Sequence, residues 1–177
     1  MGMYTQLVMG VTLSKNTPEY VIDILKYMLD LDEMELKVEL PDHPLFKTER
    51  WRAMLVSGSA YFDGHTDSSL IMNECYGEYS LNVRTNLKNY DSEIELFLHF
   101  IEPWLYSEGF LGYIHYEEDD CPKLIFHERV MGTSWIEMKK VDNPRTYEVL
   151  SETWLKNQAS LNEITRRRRT VWIKGEW

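Results

Sequence analysis

Between Tyr79 and Leu87 the chain alternates without a break. Tyr79, Leu81, Val83, Thr85 and Leu87 share one parity, and Glu78, Ser80, Asn82, Arg84 and Asn86 share the other. A period of two predicts a strand with one apolar and one polar face. Because parallel sheets are covered on both sides, a face that is polar throughout points to an antiparallel or mixed sheet with an open side. Arg84 and Asn86 are therefore expected to face solvent or a partner. The next apolar positions, Ile94, Phe97, Leu98, Ile101, Trp104 and Leu105, recur at three and four residues and predict an amphipathic helix lying on the strand's buried face. Ser92 followed by Glu95 reads as the capping box of that helix. Pro103, which lacks a backbone donor, marks a kink or the last turn.

Gly109 ends the helical pattern, and Phe110 to Tyr116 and Lys123 to His127 read as two strands of a hairpin. The connection is Glu117, Glu118, Asp119, Asp120, Cys121 and Pro122. Four carboxylates in a row resist desolvation, so the hairpin is expected to carry an exposed acidic tip. Nearer the N-terminus, Leu7, Met9, Val11 and Leu13 alternate as an opening strand. Thr17 and Pro18 then read as the cap and first position of a helix whose inward stripe is Val21, Ile24, Leu25 and Met28. Residues 33 to 44 read as a connection with room for a short edge strand, stopped by Pro41 and Pro44. Trp51 to Val56, Ala60 to Phe62 and Ser69 to Met72 read as short strands of a meander, with a turn at Asp63-Gly64, and Thr133 to Lys139 as a further strand.

The order strand, helix, strands, helix, hairpin is that of two β-α-β half-units of a plait. The expected fold is α+β, with about five to seven antiparallel strands and two helices on one face, formed by residues 1 to 142. Asn143 and Pro144 mark a boundary. Beyond it, residues 143 to 177 form an appendage with a helix-compatible run and the basic string Arg166, Arg167, Arg168 and Arg169.

Composition narrows this picture. The 177 residues, 44% hydrophobic and 13% aromatic, suffice for one substantial core. No stretch reaches the roughly 18 apolar residues of a membrane helix, and the start lacks the layout of a secretory signal; a soluble cytoplasmic protein with no membrane partner is expected. Cys75 and Cys121 are too few for a disulfide framework and are read as free thiols. Residues 1 to 142 hold 12 Lys and Arg against 25 Asp and Glu, whereas residues 143 to 177 hold 7 against 4. An acidic body disfavours nucleic acid over most of its surface and favours basic partners.

The wording at Leu40 to Asp42, Trp51 to Leu55, Tyr61 to Asp63, Asn86 to Glu95, Gly109 to Tyr113 and Glu117 to Asp119 resembles that of small uncharacterised proteins of bacteriophages and Gram-positive bacteria. The resemblance covers roughly residues 4 to 127, lies in structural wording, and carries over no functional residue. What it implies is an inhibitor of host machinery, such as an anti-CRISPR protein.

Candidate chemistry is sparse. Asp63, His65 and Asp67 alternate and would share one face if a strand ran through them, giving a site for zinc or a harder cation; the turn reading of Asp63-Gly64 opposes this. His115 and His127 fall on opposite faces of the hairpin in the simplest register. His99 and Glu102, three apart on the main helix, read as a solvated ion pair. Arg166 to Arg169 with Trp172 and Trp177 offer a weak contact to nucleic acid. No nucleophile elbow, zinc helix, phosphate loop or dinucleotide fingerprint is present.

These readings converge on a non-enzymatic binding protein that requires no cofactor. Its expected contact residues are Glu117, Glu118, Asp119, Asp120, Arg84 and Tyr116, with Trp135 as a further aromatic. The expected partner is a host protein with a basic surface, such as a defence nuclease, and a homo-oligomer is compatible with the same features. The alternatives are a metal-dependent hydrolase or nuclease at Asp63, His65 and Asp67, and a protein that sequesters a small nucleotide.

Overall fold

The computed structural model describes residues 3–29, 35–36, 38–62 and 66–140. Strand β1 (Thr5–Leu13) leads into helix α1 (Glu19–Leu29), then β2 (Ser69–Asn73), β3 (Glu78–Leu87), helix α2 (Glu93–Ile101), β4 (Gly109–Tyr116), β5 (Lys123–Val130) and β6 (Thr133–Lys140). The sheet runs β2-β3-β1-β4-β5-β6, and every neighbouring pair is antiparallel. Helix α1 connects β1 to β2, which β3 separates, and α2 connects β3 to β4, which β1 separates. This is the split β-α-β plait that the order of elements predicts, an α+β fold extended along one edge by β5 and β6.

Register puts the apolar parities together. Leu7 lies opposite Thr85, Met9 opposite Val83 and Val11 opposite Leu81, so one face of β1 and β3 presents a continuous buried strip. Onto it pack Val21, Ile24, Leu25 and Met28 of α1 and Ile94, Phe97, Leu98 and Ile101 of α2, all buried. Each fully buried side chain of this kind contributes about 1.5–3 kcal/mol of transfer free energy, which is what fixes both helices to one side. After Ile101 the helix tightens into a 3-10 turn over Glu102–Trp104, as Pro103 predicts.

At the centre of the sheet, β4 carries an irregularity. Phe110 faces Phe126 and Gly112 faces Ile125, leaving Leu111 as an extra residue. Gly112 also lies opposite Met9 of β1. A Cβ built there would stand 2.0 Å from the Val8 carbonyl oxygen and 2.7 Å from the Met9 Cα, so β1 and β4 can approach as they do only because residue 112 has no side chain.

Three local expectations are corrected. Trp51 to Val56 is a 3-10 turn (Trp51–Ala53) followed by further turns, and Ala60 to Phe62 is likewise non-strand. Met54 and Leu55 are consecutive and both fully buried, which a strand covered on one face does not allow. The Thr85 hydroxyl lies 2.5 Å from the Met54 carbonyl and 2.9 Å from that of Ser57, holding this turn against β3. Ser92 does not cap α2. Its φ of 57° is left-handed and its side chain caps nothing, whereas Asn89 Oδ1 accepts the Ile94 N–H at 2.9 Å. Asn86, expected in solvent, is buried, with its N–H donated to the Ser57 carbonyl. No helix among the described residues is long and apolar enough to cross a membrane.

Candidate functional site

Two helices cover four strands, and β5 and β6 continue the sheet beyond α2. On β6 the positions facing the helix side are Ser134, Ile136 and Met138, because Ile136 pairs with His127 and Met138 with the buried Ile125. Among the described residues they are covered only in part: Ser134 is bonded to Glu102, Ile136 packs on the core, and Met138 is exposed. A cleft of about 360 Å³ therefore opens between α2 and β6, with Leu98, Trp135, Ile136 and Met138 as its apolar lining and Glu95, His99 and Glu102 along the α2 wall. A second hollow, about 210 Å³, is lined by Glu95, Ile114, Tyr116, Asp119 and Lys123. Glu95 borders both, so the depression follows the outer side of α2 toward the β4–β5 connection.

The groups on the α2 wall are held in place. Asn89 Nδ2 donates to Glu95 Oε2 at 2.8 Å, so the residue that caps the helix also orients the carboxylate between the two hollows. Glu102 accepts a hydrogen bond from the Ser134 hydroxyl, tying the end of α2 to β6 and closing the cleft there. His99 meets His43, not Glu102; the expected His99–Glu102 ion pair does not form.

His43 and His99 are joined by a 2.8 Å contact between His43 Nε2 and His99 Nδ1. The rings lie 22° apart in orientation with centroids at 5.1 Å, so they meet edge to edge. His43 Nδ1 accepts the Leu45 N–H at 3.2 Å, which places the His43 proton on Nε2 and makes His99 Nδ1 the acceptor. Protonating His43 Nδ1 breaks its bond to the Leu45 N–H. Burial, then the neighbouring His99, hold His43 below the ordinary imidazole pKa. The folded protein thus binds this proton less readily than the unfolded chain, and its contribution to stability is complete above about pH 6.5 and declines as pH falls from there through the lowered folded value. Urea midpoints are expected to fall between pH 7.5 and pH 5.5, and His99→Gln, which removes the second of the two causes and leaves the burial, is expected to reduce that dependence only in part. A wild-type midpoint that does not change over this range would contradict the assignment.

The acidic connection is fixed and only partly exposed. Glu117 N–H donates to the Tyr4 carbonyl at 3.1 Å, Asp119 N–H to that of Tyr116 at 2.9 Å, and His115 Nε2 lies 2.9 Å from the Asp119 carbonyl. Glu118 and Asp120 are exposed, whereas Glu117 and Asp119 are half-buried and Glu117 Oε2 is enclosed without a hydrogen-bond partner. The expectation of a wholly solvated tip is corrected to that extent. Among the described residues no Lys or Arg nitrogen comes within 4.0 Å of any of the four carboxylates. Desolvation, then the charges of Glu118 and Glu117, raise the Tyr116 phenol above its usual pKa.

The other predicted contact residues divide between faces. Tyr116 points to the helix side with Ile114, bordering the second hollow. Arg84 is exposed on the opposite face of β3, where its N–H donates to the Ser68 hydroxyl. Trp135 is 42% exposed, opposite Glu128 on β5. His115 and His127 lie on opposite faces, as expected: His115 packs on Phe62, and the fully buried His127 donates from Nδ1 to the Ser107 carbonyl at 2.6 Å. Asp67 is exposed and precedes β2, while Asp63, His65, Arg166, Arg167, Arg168 and Arg169 lie outside the described residues. No group of three or more His, Cys, Asp or Glu among the described residues is placed to hold a metal ion. Cys75 and Cys121 are free thiols.

Comparison with protein-family models, with curated proteins and with solved structures finds no match to this chain. Its functional reading therefore rests on its own surface.

Proposed function

We propose that this is a non-enzymatic binding protein that engages a basic protein surface through its acidic β4–β5 connection. The observation that carries this reading is a run of four carboxylates, held by backbone hydrogen bonds, with no Lys or Arg of the described residues within 4.0 Å. Carboxylates kept close together and unneutralised repel one another, and an external cationic surface relieves that repulsion on contact. The sequence resemblance to small bacteriophage proteins favours a nucleic-acid-processing enzyme of a bacterial host, met in the cytoplasm, as the partner class. Such enzymes present basic channels to phosphate backbones, and a fixed row of carboxylates competes for the same cations.

Replacing Glu117 and Glu118 by Gln and Asp119 and Asp120 by Asn is expected to weaken partner binding about ten- to a hundredfold at low salt, mainly through slower association. The difference is expected to shrink at high salt, where the wild type loses its electrostatic advantage. Capture of the partner from bacterial lysate, followed by association kinetics of both proteins at two ionic strengths, reads this directly. Equal rates for wild type and variant at both would remove the connection from the binding surface.

A further inference from the structure

We propose that the cleft between α2 and β6 docks an amphipathic helix of the basic partner, laid beside α2 on the helix-side face of β6, which the described residues leave partly open. This rests on the partner class assigned above and goes beyond it in naming the binding element and its seat. In a layered fold, an apolar strip on a sheet is covered by a helix or a second sheet. Here α1 and α2 cover the four-stranded plait, and the apolar strip continues onto β6, where Ile136 is only partly covered and Met138 is 40% exposed. The cleft lies where one more helix packed beside α2, about 8–10 Å from it, would rest on the strand face.

Charge specifies what that helix carries. Its apolar stripe meets Leu98, Ile136 and Met138, while the flank turned to α2 meets Glu95 and Glu102. These two carboxylates are seven residues apart, about 10 Å along the helix, so Lys or Arg two turns apart on the incoming helix match them. Glu95 and Glu102 are bonded to neutral groups, Asn89 and Ser134, and among the described residues no Lys or Arg nitrogen lies within 4.0 Å of either. Toward the connection the strand wall changes sign, because Lys123 pairs with Lys140 across from Asp119. The basic end of the docked helix is therefore directed toward the Glu102 end of the cleft, and an acidic or neutral residue toward Lys123.

The probe is a synthetic Leu/Lys helix of about five turns, with its lysines spaced seven apart, and the readout is methyl NMR of the full chain. The methyl signals of Leu98, Ile136 and Met138 are expected to shift on titration, and a scrambled peptide of the same composition, lacking the apolar stripe, is expected to leave them in place. Met138→Lys, at an exposed position that does not endanger folding, is expected to weaken the peptide at least about tenfold, and Glu95→Gln, which keeps the hydrogen bond to Asn89, by several-fold. Cleft methyls that do not move, or that move equally with the scrambled peptide, overturn the proposal. So does a doubling of mass with the same shifts in the absence of peptide, which would give the cleft to a second copy. The variant with Glu117, Glu118, Asp119 and Asp120 neutralised separates the two readings. If it still shifts the cleft methyls with the peptide but binds the captured partner as well as wild type does, the cleft stands and the role of the connection falls.

Discussion

Gly112→Ala is expected to destabilise the protein by about 3 kcal/mol or more and to leave little of it folded in mild urea. The added methyl would stand 2.0 Å from the Val8 carbonyl oxygen and within 2.8 Å of the Met9 Cα and Cβ. Both obstacles belong to β1, the strand between β3 and β4, and a carbonyl oxygen cannot rotate away as a side-chain end can. The β1–β4 ladder must part at Met9, and the core residues facing it, Leu7 and Ile114, lose their packing. Gly77→Ala is the control. Gly77 has a φ of +66° with nothing within 4 Å of an added Cβ, so it carries only the strain of a left-handed residue, about 1 kcal/mol. Urea unfolding followed by circular dichroism separates the two. A Gly112→Ala midpoint close to that of Gly77→Ala would mean that β1 and β4 do not pair at this register.

Arg50→Met is expected to cost about 2–3 kcal/mol, chiefly by stranding Glu93. Glu93 is fully buried at the start of α2, with Arg50 Nη1 3.4 Å from its Oε1 and the Asp91 N–H donating to its Oε2 at 3.0 Å. The Arg50 guanidinium also lies over the Tyr90 ring, 5.2 Å from its centroid, and 3.7 Å from Asp91. Removing one member of a fully buried ion pair costs about 3–5 kcal/mol, and the figure here is lower because the Arg50 side chain is 33% exposed and shares its charge with solvent. The double variant Arg50→Met/Glu93→Gln is expected to recover about half of the loss, because the amide is cheaper to bury than the abandoned charge. If the double variant is no more stable than Arg50→Met, Glu93 does not depend on Arg50. The pair joins the segment before Trp51 to α2, the helix whose outer side forms the cleft wall. Chemical-shift changes at Glu95 and His99 in Arg50→Met would therefore accompany the stability loss.

The elements legible from sequence are those whose signal is carried by one periodic run. β1, α1, β3 and α2 each show their own alternation or three-and-four spacing and bury most of the stripe that it predicts, and the hairpin forms between the two strands read on either side of the acidic run. Misreadings fall where a neighbour distant in sequence decides. Asn86 sits at a polar position of an exposed-looking face, yet the chain around Ser57 covers it. Ser92 has the right spacing from Glu95, but its left-handed backbone disqualifies it as a cap, and Asn89 takes that role while also bonding to Glu95. The acidic connection was legible as four adjacent carboxylates; that half of them would be partly covered was not.

The cleft had no sequence signal of its own. Ile136 and Met138 alternate as any half-buried strand does, and Glu95, His99 and Glu102 look like the solvated side of a helix. They come to line one cleft because β5 and β6 extend the sheet past α2, the last helix of the described residues, and that follows from strand order. His43 and His99, 56 residues apart, likewise meet only in the fold. Alternation and helical spacing determined which elements form and which side of each is apolar, since these depend on neighbours a few residues away. Strand order, the Leu111–Gly112 irregularity and the open cleft were decided by tertiary structure, because they depend on how buried faces are shared among segments that the chain's periodicity does not connect.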